Sequence, residues 1–246
     1  MDLALRRLGA IVGIMSIVAF CGQKGGTGKT TVAISVAAEL LERGMRVLLV
    51  DADPQASART WADVAVEAER PVPVVVAMGA RMHTPGQLDD LMKGYDVTVI
   101  DCPPSNGDVQ RSALMVCTLA VIPCGPSALD AWALAESVEQ ATKAQVVRPE
   151  LTVAALITRK VVGTTIGEGA RAAMSKSGVR VLRSELCARI AYQEAPAAGL
   201  GVAQYAPNDQ AALEIRTLVT EILEELDHGK KAHHRAKKTP AVRRAR

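Results

Sequence analysis

The chain has 246 residues, 49% hydrophobic but only 2% aromatic, with a net charge of +3. That length fits one large α/β domain with an aliphatic core, and the composition excludes a fibrous or low-complexity chain. The charge is unevenly spread. Residues 228–246 hold eight Lys or Arg and no acid, whereas the first 227 residues hold 21 basic and 26 acidic side chains, a net of −5.

Residues 1–14 suggest no clear element and form an uncertain N-terminal extension. Arg6 and Arg7 precede an uncharged run over 8–21. No Ala-x-Ala cleavage site follows, and the run is too short to cross a bilayer as a helix, so no transmembrane segment is expected. Its second half reads instead as a buried strand over 16–21, followed by a glycine-rich loop over 22–28. A helical pattern covers 29–43 and stops at Gly44. A second strand over 46–50 ends at Asp51. A third covers 72–77, and after a turn at 84–86 a short helix covers 88–92. A fourth strand over 95–100 ends at Asp101. Further strands are expected over 120–123, 153–157 and 179–182, with helices over 107–118, 131–146 and 165–176. A last helix starts near Asn208 or Asp209 and runs to Leu226. Continuous apolar strands alternating with helices predict a single-domain, three-layer α/β fold over 15–227 around a mostly parallel sheet. Ligands bind such sheets at the carboxyl ends of the strands, where Lys24, Lys29, Asp51, Asp53 and Asp101 fall.

Residues 22–30 (GQKGGTGKT) lie between a strand and a helix and end in the Gly-Lys-Thr of a P-loop. Glycines in such a loop let backbone N–H groups converge on phosphate oxygens, and the helix N-terminus adds partial positive charge. Gly25, Gly26, Thr27, Gly28, Lys29, Thr30 and Thr31 form the candidate cradle for ATP. Lys29 would reach the β- and γ-phosphates and Thr30 would hold Mg²⁺. Asp101, ending a hydrophobic strand, fits the acid that holds Mg²⁺ directly or through water. Asp53 is a candidate both for that metal set and for orienting the attacking water. Asp51 either caps a helix or supports the site. The glycine-rich loop also carries a second lysine, Lys24, five positions before Lys29. One lysine suffices for a phosphate, so Lys24 either faces solvent or has a separate task.

Five cysteines, at 21, 102, 117, 124 and 187, show no metal or redox spacing. They read as small buried hydrophobes in a reducing cytoplasm.

KGGTGKT (24–30), VDADPQ (50–55) and VIDCPPS (99–105) together resemble the ParA/MinD family of deviant Walker-A P-loop ATPases. LDAW (129–132), LITRK (156–160), ARIAYQEAPAAGLGV (188–202) and AALEI (211–215) are similar to the short, plasmid-type ParA partition proteins. The resemblance implies a Mg²⁺-dependent ATPase that closes as a homodimer over two ATP molecules. Lys24 is then the signature lysine that reaches the partner's phosphates, Lys29 the lysine acting within its own chain, and Asp53 the water-positioning acid. Thr158, Arg159 and Pro207 would frame adenine, although many relatives carry asparagine where Thr158 stands. No helix-turn-helix precedes the P-loop, so binding to a specific operator is not expected.

The same resemblance implies ATP-dependent, nonspecific DNA binding, release by a ParB-like centromere-binding adaptor, and a cytoplasmic, nucleoid-associated location. Candidate DNA contacts are Arg189, Arg216 and the tail residues Lys230, Lys231, Arg235, Lys237, Lys238, Arg243, Arg244 and Arg246. Arg189 has an alternative reading as the partner of an internal acid. The tail, 228–246, is expected to stay unpacked and to attract a polyanion. Its alternative is a solubilising end. The function expected from the resemblance is ATP-driven DNA partition. The alternatives are an ATPase of this family that positions a protein cluster or membrane-associated cargo, and an ATP-switched regulator on DNA. A role like that of the nitrogenase iron protein is not expected, because no cysteine sits in the paired context it needs.

Overall fold

A computed structural model describes the backbone of residues 16–105 and 107–238, and side chains as far as residue 228. Seven strands form one sheet in the order β3-β2-β4-β1-β5-β6-β7. They are β1 (Ser16–Phe20), β2 (Val47–Asp51), β3 (Val74–Ala77), β4 (Val97–Asp101), β5 (Leu119–Cys124), β6 (Thr152–Lys160) and β7 (Arg180–Cys187). Every pairing is parallel. The helices are α1 (Lys29–Glu42), α2 (Ser57–Glu67), α3 (Leu88–Leu91), α4 (Gly107–Leu114), α5 (Ala128–Val147), α6 (Thr165–Ser175), α7 (Ala191–Ala197), α8 (Val202–Tyr205) and α9 (Gln210–Lys238).

The apolar strands lack polar alternation because both faces are covered. Val18 and Phe20 of β1 join one core with α1, α2 and α7–α9, while Ile17 and Ala19 join a second with α3–α6. Leu49 and Leu48 of β2 divide the same way. The three-layer expectation is met. Helix α1 is buried almost all round, from Val32 to Leu40, because it lies between the sheet and α9. A helix apolar on every face belongs in such a place.

The ends of elements depart from expectation where local signals are weak. Helix α2 carries no cap in its side chains, starting after Ala56 at φ +58°, and was not expected. Strand β7 continues to Cys187 rather than stopping at 182, because Leu182, Ser184 and Leu186 alternate inward under α9. Helix α9 continues to Lys238 rather than ending at Leu226. Between those positions only Gly229 disfavours a helix, and Pro240, two residues beyond its end, cannot continue one. Residues 228–238 are thus helical in backbone, not the unstructured tail expected. Residues 1–14 and 239–246 lie outside the described residues.

Candidate functional site

The register of three adjacent strands sets the site. Phe20 of β1 lies beside Asp101 of β4, and Asp101 lies beside Asp51 of β2. The chain leaving β1 therefore crosses in front of two carboxylates. It turns into α1 through Gly28, whose φ of +92° a side chain would disfavour. No side chain caps α1, which leaves its first backbone N–H groups available to an anion.

Lys29 is buried on the first turn of α1, and its Nζ donates to the Lys24 carbonyl at 2.8 Å. Burial lowers its pKa, opposed mainly by the charge of Asp101. Asp101 is 0% exposed, and neither oxygen meets a donor in hydrogen-bond geometry, although the Thr30 hydroxyl lies near enough to favour the charged form. Burial pushes its carboxyl up to about 7, against the attraction of the Thr30 hydroxyl; the charges of Asp51 and Asp53 add to the rise. The Thr27 hydroxyl is likewise buried without a partner. An orphaned hard oxygen pair of this kind is what a divalent cation satisfies, so Asp101 and the half-buried Thr30 fit Mg²⁺. Bound there, Mg²⁺ would draw charge from phosphate oxygens.

The other acids divide their roles. Asp51 is buried and accepts from the backbone of Asp53 at 3.2 Å and of Arg59 at 3.0 Å. It takes the capping role, at the first turn of α2. Asp53 is half-buried on the loop beyond, where one oxygen accepts from the Gln55 N–H at 2.9 Å. Its charge is felt at Lys29 and Asp101, which places it near the phosphate loop, beyond the end of the strand.

Lys24 does not face solvent freely. Its Nζ lies 2.7 Å from Asp130 Oδ1, with the lysine side chain 34% exposed and the aspartate 4%. Asp130 also closes a capping box with Ser127 at the start of α5, which therefore begins at Ala128 rather than 131. The guanidinium of Arg159 approaches the same Oδ1 at 3.2 Å. A Cβ on Gly125 would come within 2.6 Å of both Asp130 and Arg159, so a side chain there would push the pair apart. Burial acts to raise the Asp130 carboxyl, but hydrogen bonds from Lys24 and Ser127 outweigh it and hold it below its ordinary value. Asp130 escaped the sequence reading as a site residue. Its signal was the Ser-x-x-Asp spacing at 127–130, which marks a helix start.

Further ties fix the loop. The Ser105 hydroxyl donates to the Gln23 carbonyl at 2.9 Å, and Gln110 Nε2 donates to the Pro103 carbonyl at 2.9 Å and the Gly22 carbonyl at 3.3 Å. The Gln23 N–H donates to Ser137 Oγ at 3.1 Å. Ala56, Ser105 and Arg159 all hold positive φ, of 58°, 52° and 53°. Each non-glycine residue so held carries strain, and all three lie on loops or strand ends at the sheet's carboxyl edge.

Each residue of the expected adenine frame has a partner within the chain. Thr158 is buried, and its hydroxyl donates to the Thr27 carbonyl at 2.9 Å, bracing the phosphate loop instead of facing an open pocket. Arg159 turns to Asp130, as above. The Pro207 carbonyl accepts from Arg216 Nη1 at 2.9 Å. Among the expected DNA contacts, Arg189 is held by Glu214 at 2.7 Å, its alternative reading, while Arg216 remains at the surface. The side chains of Lys230, Lys231, Arg235, Lys237 and Lys238, and all of Arg243, Arg244 and Arg246, lie outside the described residues.

Among the described residues no helix is long and apolar enough to cross a membrane. Cys21, Cys102, Cys117 and Cys124 are buried and free, and burial pushes the Cys21 thiol up to about 12, consistent with inert packing.

Residues 18–202 match the model of the CobQ/CobB/MinD/ParA nucleotide-binding domain. The chain is 34% identical to the maintenance of carboxysome distribution protein A of Halothiobacillus neapolitanus, across 84% of this chain and 95% of that protein. It is 29% identical to the chromosome-partitioning ATPase Soj of Thermus thermophilus, across 84% of this chain and 94% of that one. Its fold is similar to apo McdA of Cyanothece, with a TM-score of 0.65 at 17% identity, covering 88% and 99% of the two chains. With its phosphate loop, orphaned Asp101 and paired lysines, the chain belongs to the CobQ/CobB/MinD/ParA nucleotide-binding family, as a P-loop ATPase of the ParA/MinD kind.

Proposed function

We propose that the chain is an ATP-driven positioning factor that travels on DNA and distributes a large protein assembly within the cell. The observation that carries this reading is its likeness, over 84% of this chain, to a protein named for carboxysome distribution. Two chains close over two ATP molecules. Lys29 and the backbone N–H groups of residues 25–31 hold the phosphates, and Thr30 and Asp101, with Asp53 nearby, hold Mg²⁺. Asp53 orients a water. The water's oxygen bonds to the γ-phosphorus as the bond to the bridging oxygen breaks; that electron pair leaves with ADP, and the water's proton ends on the released phosphate. Lys24 exchanges Asp130 for the partner's phosphates, so the pair persists only while the γ-phosphate does.

The closed pair binds DNA without reading its sequence. Within the described residues, Arg180, Arg183 and Arg189 are already matched by Glu225, Glu221 and Glu214. The basic end of α9 and the residues after it are therefore the better source of phosphate contacts, and Arg216 is an accessory one. An adaptor on the cargo stimulates hydrolysis and release.

A second reading, ATP-driven DNA partition with a ParB-like adaptor, is favoured by the likeness to the chromosome-partitioning ATPase. Two measurements separate the outcomes. DNA binding by the purified chain should require ATP and weaken steeply with salt; equal binding with ADP would count against both readings. In cells lacking the chain, the proposed role predicts that protein compartments cluster while plasmids and chromosomes are inherited normally. Plasmid or chromosome loss with evenly spaced compartments would replace it by the second reading.

A further inference from the structure

The first turns of α5 present an apolar face that nothing in the described residues covers. Trp132 is 71% exposed and Leu129 is 62% exposed. They stand three positions apart, on one side of the helix. Ala128 and Ala135 are exposed on the same side, and the first charge there is Glu136. The chain's other tryptophan, Trp61, behaves normally: it is 3% exposed, with its indole N–H donating to the Leu200 carbonyl at 3.2 Å. A tryptophan left in water on a helix of stable sequence is a strong anchor for a partner surface.

Its position identifies the partner. Asp130 lies between Leu129 and Trp132 in the same turn, and it is the group that holds Lys24 at 2.7 Å. A lysine reaches on the order of 6 Å from its own Cα. If Lys24 leaves Asp130 for a phosphate carried by a second copy, that copy must come within a few ångströms of this turn. Leu129 and Trp132 lie on the outer face of that same first stretch of helix, while Asp130 points inward, so a copy that reaches over the turn to Lys24 would also cover them. The end of β6 lies close too, because Arg159 also touches Asp130.

We infer that Leu129 and Trp132 form an apolar seam against a second copy of this chain, sealing the edge of the site at which Lys24 changes partners. The inference rests on the two-chain ATP complex proposed above and adds the surface that holds it. The exchange of Lys24 makes the association depend on nucleotide. The seam supplies burial that does not depend on charge, and it excludes water beside the phosphate contact.

The test uses the full chain and its own two tryptophans. Acrylamide quenching of tryptophan emission is measured with Mg-ADP and with Mg²⁺ plus a non-hydrolysable ATP analogue, and light scattering gives the mass of the same samples. The analogue should double the mass and lower the quenching constant about twofold or more, since Trp61 is already shielded. Trp132→Phe should remove the nucleotide-sensitive emission. Trp132→Glu, at an exposed position that the fold does not need, should weaken the pair about tenfold or more while leaving ADP affinity unchanged. A doubled mass with Trp132 still open to quencher would overturn the seam and leave the two-chain reading standing. So would a Trp132→Glu variant that pairs as the wild type does. A mass that never doubles would overturn the two-chain reading, and the seam with it.

Discussion

Two regions treat buried charge in opposite ways. At the edge formed by β7 and α9, every buried acid is answered. Glu221 accepts from the Ser184 N–H at 2.8 Å, the Ser184 hydroxyl at 2.7 Å and the Arg183 N–H at 2.7 Å. Glu214 accepts from the Cys187 N–H at 3.0 Å and the Tyr192 hydroxyl at 2.9 Å besides holding Arg189. At the carboxyl ends of β1, β2 and β4, Asp101 is buried with neither oxygen in hydrogen-bond geometry, and Ala56 and Ser105, on the loops beyond β2 and β4, hold strained backbone. Folding alone has no use for an unanswered carboxylate, since it costs free energy that a ligand must recover. The contrast separates acids that hold the fold from acids that await something.

Substitution should break the contrast in a predictable order. Glu221→Ala leaves two N–H groups and a hydroxyl unmatched, and should destabilise the chain by about 2–3 kcal/mol in denaturant unfolding, with nucleotide affinity unchanged. The Glu221 carboxyl is held below its ordinary value by hydrogen bonds that outweigh its burial. A depressed folded value means the contribution is present above the unfolded value and fades as pH falls through the folded one, so the difference between wild type and variant should shrink on acidification. Asp101→Asn should do the reverse. Removing an unmatched buried charge should raise the stability of the nucleotide-free chain by about 1 kcal/mol, while Mg²⁺-dependent ATP binding is lost. A variant that melts earlier than the wild type would show that Asp101 is satisfied by the fold after all. The smallest effect is expected at Asp130, where the two regions' habits meet. Asp130→Asn keeps the helix cap but releases Lys24, and should tighten ATP-dependent pairing by less than about 1 kcal/mol, read by analytical ultracentrifugation. An unchanged dissociation constant would mean that the Lys24–Asp130 contact does not oppose pairing.

Much of this was legible in the sequence, for physical reasons that also explain the rest. Strands β1, β2 and β4 are mostly apolar runs, the last two ending on Asp51 and Asp101, and their expected bounds fall within two residues of those observed. The phosphate loop was legible because its chemistry needs contiguous residues. Helix α2 was not, because its buried positions are mostly small alanines that give little contrast with its outer face. Helices α7 and α8 are short, and Pro196 lies inside the first. The partner of Lys24 lies 106 positions away, a separation that no local pattern spans. Thr158 was expected at adenine because it lies in a motif, but its buried hydroxyl braces the loop.

The central claim is that Lys24 serves a second chain rather than its own phosphate. Light scattering of wild type and Lys24→Ala with Mg-ATP tests it most directly, alongside calorimetric ATP binding. The account predicts that both proteins bind ATP through Lys29, that the wild type doubles its mass, and that Lys24→Ala remains a single chain. A Lys24→Ala variant that binds ATP and doubles its mass as the wild type does would contradict it.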